Sequence, residues 1–136
     1  MADFKIAYQG TSVNEGGYAN DPDDHGGETW KGISRNNETN WIGWHIVDMY
    51  KKLPNFPKNL YASSELEKAV QDIYKSNYWN LIRGDEINFQ DCANDLYDSA
   101  VNVGVGTAII LAKRAAGLPE DTHMDNEFLN FLNHKL

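Results

Sequence analysis

Between Glu15 and Glu28 the chain carries Asp21, Asp23 and Asp24, with glycine at positions 16, 17, 26 and 27. So much acid beside so much flexible backbone suits proton-transfer chemistry. One carboxyl must hold its proton near neutral pH and a second must stay ionised, the pairing that glycoside hydrolysis requires. Glu15 is the candidate acid. It falls at the expected C-terminal end of a first helix, where unpaired carbonyls disfavour a negative charge. Desolvation by Tyr18 or Trp30 would raise its pKa further. For the ionised partner the candidates are Asp21, Asp23, Asp24 and Glu28. Asp24 is preferred, because Gly26-Gly27 can fold the loop back and offer backbone N–H groups to it.

Other chemistries compete for the same residues. Asp and Asn in a glycine-rich loop commonly hydrogen-bond their own backbone and do nothing else. Asp21, Asp23 and Gly26 fit positions 1, 3 and 6 of a calcium loop, but the position that demands a bidentate Glu is Gly32. His25 lacks a second histidine at metal-ligand spacing, the nearest being His45. Cys92 has no context that would activate a thiol, and no nucleophile-elbow or phosphate-loop motif is present. No metal and no cofactor is implied.

The elements that must position these residues are mostly helical. The spacing predicts helices over 3–14, with Asp3 as N-cap, and over 42–50 with Ile42, Ile46, Met49 and Tyr50 inward. A third runs from Ser64-Glu65-Leu66-Glu67, a capping-box form, through Leu66, Ala69, Val70, Ile73, Tyr74 and Asn77. Phe89, Cys92, Ala93, Leu96, Tyr97, Ala100 and Val101 mark a central helix that Gly104 and Gly106 end. Two more follow, over 107–116 and from Asn126 to about Lys135, the last with Phe128, Leu129 and Leu132 inward. Two short strand pieces are expected within 18–34, with Gly32-Ile33 at one edge. The fold class is mostly α, a helical domain with a short loop or β-hairpin segment near the N-terminus.

A chain of 136 residues is one domain's worth. Its net charge of −8 would repel nucleic acid and anionic lipid at long range, so nucleic acid is not an expected partner. Lys51-Lys52 reads as cations at the negative end of a helix. The longest apolar run, Ala108 to Ala112, is far short of a membrane span. No secretory signal is visible at MADFKIAYQG, so synthesis in the cytoplasm is the expectation, and the lone Cys92 excludes an internal disulfide.

Three stretches together resemble a known family. Glu15-Gly-Gly-Tyr18, continuing through Asn20-Asp21-Pro22, Asp24, Gly26-Gly27-Glu28-Thr29 and Gly32-Ile33, is similar to the opening motif of glycoside hydrolase family 108, bacterial and phage N-acetylmuramidases. The likeness continues through Ile73-Tyr74, Tyr78-Trp79 and Arg83-Gly84-Asp85-Glu86, then Tyr97-Asp98, Ala100-Val101-Asn102 and Gly104. The resemblance implies a lysozyme-like fold that cleaves the β-1,4 bond after N-acetylmuramic acid, with Glu15 as catalytic acid. It also implies a catalytic region over 1–87 and a predicted peptidoglycan-binding helical region over 88–136, packed into the same unit. A more distant likeness to phage-type lysozymes, which carry Glu, then Asp nine positions on, then Thr and Gly-Ile, supports Asp24 and gives Thr29 the role of positioning a water or the aspartate. Asp21 is the second choice.

Sugar rings stack their apolar faces on aromatics, so the expected glycan contacts are Tyr18, Trp30, Tyr78 and Trp79, with Asp98 and Asn102 for hydroxyls. Trp79 has a core role as its alternative, and Asp98 with Asn102 has the satisfaction of backbone groups. Trp41 and Trp44 read either as core anchors or as additions to the cleft. The implied partner is the peptidoglycan glycan strand, reached in the cell wall with the help of a holin or an export system. The rival reading is a non-catalytic peptidoglycan-binding or secretion-accessory protein.

Overall fold

The computed structural model describes residues 1–12, 16–23 and 27–134. Among them are six α-helices and one three-stranded antiparallel sheet, so the mostly α, lysozyme-like expectation is met. The chain forms two compact units, one of Met1–Thr11 with Tyr74–Leu136 and the other of Ser12–Ile73.

In the first unit, α1 (Phe4–Ser12) begins at Asp3, whose Oδ1 accepts the Lys5 amide at 2.9 Å, the expected N-cap. Its Phe4 and Tyr8 are buried in an aromatic cluster with Tyr74, Trp79 and Tyr97. Ring centroids there lie 5.7 to 6.0 Å apart in tilted or edge contacts for Tyr8–Tyr74, Phe4–Trp79 and Phe4–Tyr97. The central helix α4 (Gln90–Val103) buries Ala93, Leu96, Tyr97 and Ala100, while Phe89, expected on that face, is exposed at its cap. Gly104, at φ 90°, ends it, and α5 (Val105–Ala115) starts at once, two residues earlier than expected, with Gly106 inside it. Helix α6 (Asn126–Asn133) is capped by the Asp125 carboxylate on the Phe128 amide at 2.8 Å and buries Phe128, Leu129 and Leu132 as expected.

In the second unit the sheet has the order β1 (Tyr18–Asn20), β2 (Glu28–Trp30), β3 (Ile33–Ser34), one strand more than the two pieces expected. Trp30 pairs with Ile33, leaving a two-residue turn at Lys31 and Gly32. Both have positive φ, 47° and 81°, the form whose twist matches that of the flanking strands.

Helix α2 (Gly43–Tyr50) occupies the expected stretch but turns a different face inward. Trp44 and Val47 are buried, whereas Ile42 and Met49 are 65% and 64% exposed. The indole decides this, because Trp44 buries the largest area and its N–H reaches the Glu38 carbonyl at 3.0 Å. Trp41, in edge contact with Trp44, donates to the Ala69 carbonyl at 3.2 Å, so both serve as core anchors. Helix α3 (Ser64–Tyr74) is capped one residue earlier than its capping-box form suggested, by the Ser63 hydroxyl on the Leu66 amide at 3.1 Å. Leu66, Ala69 and Val70 are buried as expected. Within the first unit, Lys75–Trp79 form a π turn.

Candidate active site

The register Asn20↔Glu28 makes residues 21–27 the connection between β1 and β2, so Asp24 is the middle residue of that loop in sequence. Glu15 and Asp24 lie outside the described residues. Asp21 is exposed, and its Oδ1 accepts the Asp23 amide at 2.9 Å, an Asx turn that shapes the entry to the loop. At the exit Gly27 has φ 66°, and a Cβ there would come within 2.8 Å of the Asn36 side chain. Glycine is required on both counts.

Glu28 closes the loop at its base and is only 8% exposed. Its Oε2 accepts from the Tyr18 hydroxyl at 2.6 Å and pairs with Lys51 Nζ at 2.6 Å, and its Oε1 pairs with Arg35 Nη1 at 2.9 Å. Burial pushes the Glu28 pKa up. Lys51, Tyr18 and Arg35 outweigh that and hold it below the ordinary carboxylate value. Burial, with the Glu28 carboxylate beside it, pushes Tyr18 up to about 12. Arg35 also grips Asp48 with two nitrogens at 2.8 and 2.7 Å and lies over the Trp44 ring at 5.2 Å. The Arg35 bonds hold Asp48 down to about 2, and those to Asp48 and then Glu28 hold the guanidinium well above its usual range.

Glu28 is therefore a buried, ionised anchor with both oxygens engaged, and its place among the candidates for the second carboxylate passes to the aspartates. Lys51, expected at a helix end, is the C-cap residue of α2 and also reaches across to Glu28. Arg35 and Asp48 were not singled out from the sequence. Their only local signal is Asp48 and Lys51 three apart on one helix, a common surface pattern.

The unit of Ser12–Ile73 brings Tyr18, Thr29 and Trp30 together with Glu28. Tyr18 is half-buried, its hydroxyl on Glu28 and its ring edge-on to Phe56 at 4.8 Å. Thr29, also half-buried, pairs with Ala19 on one side and Ser34 on the other. Trp30 is 2% exposed and in edge contact with Tyr61 at 5.0 Å. It is a core anchor with no open ring face, which corrects its expected role as a sugar platform.

In the other unit, Tyr78 is half-buried and stacked on Tyr74 at 5.6 Å. Trp79 is 0% exposed, and its indole donates to Asp85 Oδ1 at 2.8 Å, so its alternative core role is the one the structure supports. A Cβ at Gly84 would overlap the Trp79 ring, and Arg83, in the left-handed region at φ 54°, grips Glu86 with two nitrogens at 2.6 and 2.8 Å. Arg83-Gly84-Asp85-Glu86 is thus a seat for Trp79. Asp98 accepts from the buried Thr11 hydroxyl at 3.1 Å and from Asn102 Nδ2 at 3.3 Å, which fastens α1 to α4. Neither partner is a backbone group. Among the described residues no three His, Cys, Asp or Glu side chains stand together as metal ligands would.

No curated protein matches the chain. It is similar to a solved structure of Brucella abortus SagA, with 22% identity over 98% of this chain and 70% of that one, at a TM-score of 0.63. At that identity the likeness establishes the fold alone. The family model for glycosyl hydrolase 108 matches residues 8–104, a stretch that takes in the acidic loop, the seat of Trp79 and all of α4. The chain belongs to the glycosyl hydrolase 108 family.

Proposed function

We propose that the protein is an N-acetylmuramidase, hydrolysing the β-1,4 bond between N-acetylmuramic acid and N-acetylglucosamine in peptidoglycan. The observation that carries this reading is the family match over 8–104, because it spans Glu15, Asp24 and Thr29 in one continuous stretch. Glu15 donates its proton to the glycosidic oxygen as the bond to the anomeric carbon breaks. Asp24, or failing it Asp21, stays ionised on the opposite face and either activates water or attacks the sugar. A carboxyl separation of about 5 to 5.5 Å would make the enzyme retaining, and about 6.5 to 9.5 Å inverting.

The surroundings favour this division of labour. Glu28 has both oxygens engaged by Tyr18, Arg35 and Lys51, which leaves the second role to an aspartate of the loop. Thr29 lies on β2 immediately after that anchor, where it can position a water or the aspartate. Within the unit of Ser12–Ile73, Tyr18 keeps a partly open ring for sugar contact. Residues 88–136 supply further peptidoglycan affinity, and a holin or export system gives access to the wall.

The test is Glu15→Gln. The variant should still sediment with purified peptidoglycan while releasing no new muramic-acid reducing ends, whereas the wild type releases them and yields muropeptides ending in muramic acid. A wild-type protein that binds the wall and releases none would establish the non-catalytic binding reading instead.

A further inference from the structure

Resting on the muramidase reading, we infer that Tyr61 is a glycan-contacting residue, stacking on an N-acetylhexosamine ring. Three observations within the unit of Ser12–Ile73 meet at this side chain. The first is its display. Tyr61 is 65% exposed, although Leu60 before it is buried at 1% and Ser63 after it at 7%. The backbone that carries it is fixed: residues Lys58–Ala62 form a 3-10 turn, and Asn59 Nδ2 donates to the carbonyls of Tyr50 at 3.0 Å and Pro54 at 3.2 Å. An exposed tyrosine on a rigid turn costs little conformational entropy to use, because only its own two side-chain torsions need ordering on binding.

The second is its neighbour in space. The Tyr61 hydroxyl lies against Gly17, where an added Cβ would come within 2.7 Å of it. Gly17 lies within the stretch that the family match spans. The second glycine of the Glu15-Gly-Gly-Tyr18 stretch therefore makes room for the hydroxyl of a residue far along the sequence. The third is the support of the ring. Trp30 meets it in edge contact at 5.0 Å, and Lys31 Nζ, paired with Glu67 at 2.7 Å, sits 5.7 Å from its centroid. These hold the ring upright while most of its surface stays open. The buried Trp30 is thus the back support of a platform rather than the platform itself.

The experiment uses soluble glycan strands stripped of stem peptides, so that only sugar recognition is read. Tyr61→Ala should raise KM about 5- to 10-fold, with kcat changed less than about 2-fold, the scale of losing one aromatic contact. Tyr61→Phe, which keeps the ring, should recover most of that loss. In the Glu15→Gln background the Ala change should weaken strand binding by the same factor. Melting temperatures identify any variant that fails to fold, and Tyr61→Gln then replaces Ala with a side chain of closer volume. An active wild type whose Tyr61→Ala and Tyr61→Gln variants keep its KM, or lose kcat alone, overturns the inference. An inactive wild type overturns the muramidase reading instead, and the binding comparison then decides Tyr61 separately.

Discussion

The Tyr18 hydroxyl donates to Glu28 Oε2 at 2.6 Å, so an acid weighed as the second carboxylate is bound at the base of the acidic loop by an aromatic whose ring stays half-exposed. The bond joins β1 to β2 two residues from the point where the loop begins. Together with Arg35 and Lys51 it makes Glu28 the electrostatic hub of its unit.

Removing that hub should cost stability more than chemistry. Glu28→Gln leaves Lys51 and Tyr18 without their carboxylate, and the side chains of Arg35 and Lys51 are about a third exposed, 32% and 36%. Solvent softens the penalty, so a loss of about 1 to 3 kcal/mol is expected by urea denaturation. A loss below about 0.5 kcal/mol would show that the hub is decorative.

The same group sets the acid limb of stability. Glu28 and Asp48 both have folded pKa values below their unfolded ones, so the stability they contribute is complete above the ordinary carboxylate range near 4 and is lost as pH falls through the folded values. For Asp48 the loss is complete only below about 2. A Glu28→Gln, Asp48→Asn double variant should therefore lose stability less steeply between about pH 4.5 and 2 than wild type, measured by thermal melts across that range.

Trp79 depends on its seat. Asp85→Ala strands a buried indole N–H, and Gly84→Ala drives a methyl into the ring, so each should cost about 1 to 3 kcal/mol. Near-UV circular dichroism of the two variants should show the Trp79 environment disturbed, and unchanged melting of both would refute the account.

Asp98 offers a sharp contrast between structure and binding. Its two oxygens are engaged by Thr11 and Asn102, so Asp98→Ala should lower the melting temperature, and Thr11→Val should reproduce part of the effect. Should Asp98→Ala instead raise KM on glycan strands at an unchanged melting temperature, its expected sugar-binding role would be the correct one.

The charge of −8 bears on kinetics. Peptidoglycan also carries carboxylates, so binding gains nothing from long-range attraction and must come from close contact. Activity should vary less than about 3-fold between low and physiological salt, and a steep fall over that range would reveal electrostatic capture.

Helices with one strong apolar stripe were legible in the sequence. Leu66, Ala69 and Val70 in α3, and Phe128, Leu129 and Leu132 in α6, repeat at helical spacing and are buried. The stripe failed in α2, where Ile42 and Met49 yielded to Trp44, a residue whose area and indole hydrogen bond outweigh periodicity. The three-stranded sheet was only half legible, because strands of two and three residues are too short to show alternation. The hub around Glu28 left little trace in the sequence. Its partners lie 7, 10 and 23 positions away, and nothing local distinguishes a buried acid from its neighbours in a glycine-rich run. Tyr61 was missed for a similar reason, since its relation to Gly17 exists only in three dimensions.

The tight reversal at Lys31-Gly32 also favours an order of assembly. A hairpin with two residues at its tip closes in about 1 to 10 μs, before segments further along can be gathered in. The Arg35 amide is joined to the Glu28 carbonyl at 2.8 Å within that local fold, so the guanidinium is already tethered beside its first acid when α2 arrives with Asp48 and Lys51. Local closure of residues 28–35 thus favours a refolding order that starts at the hairpin and completes the charge cluster afterwards.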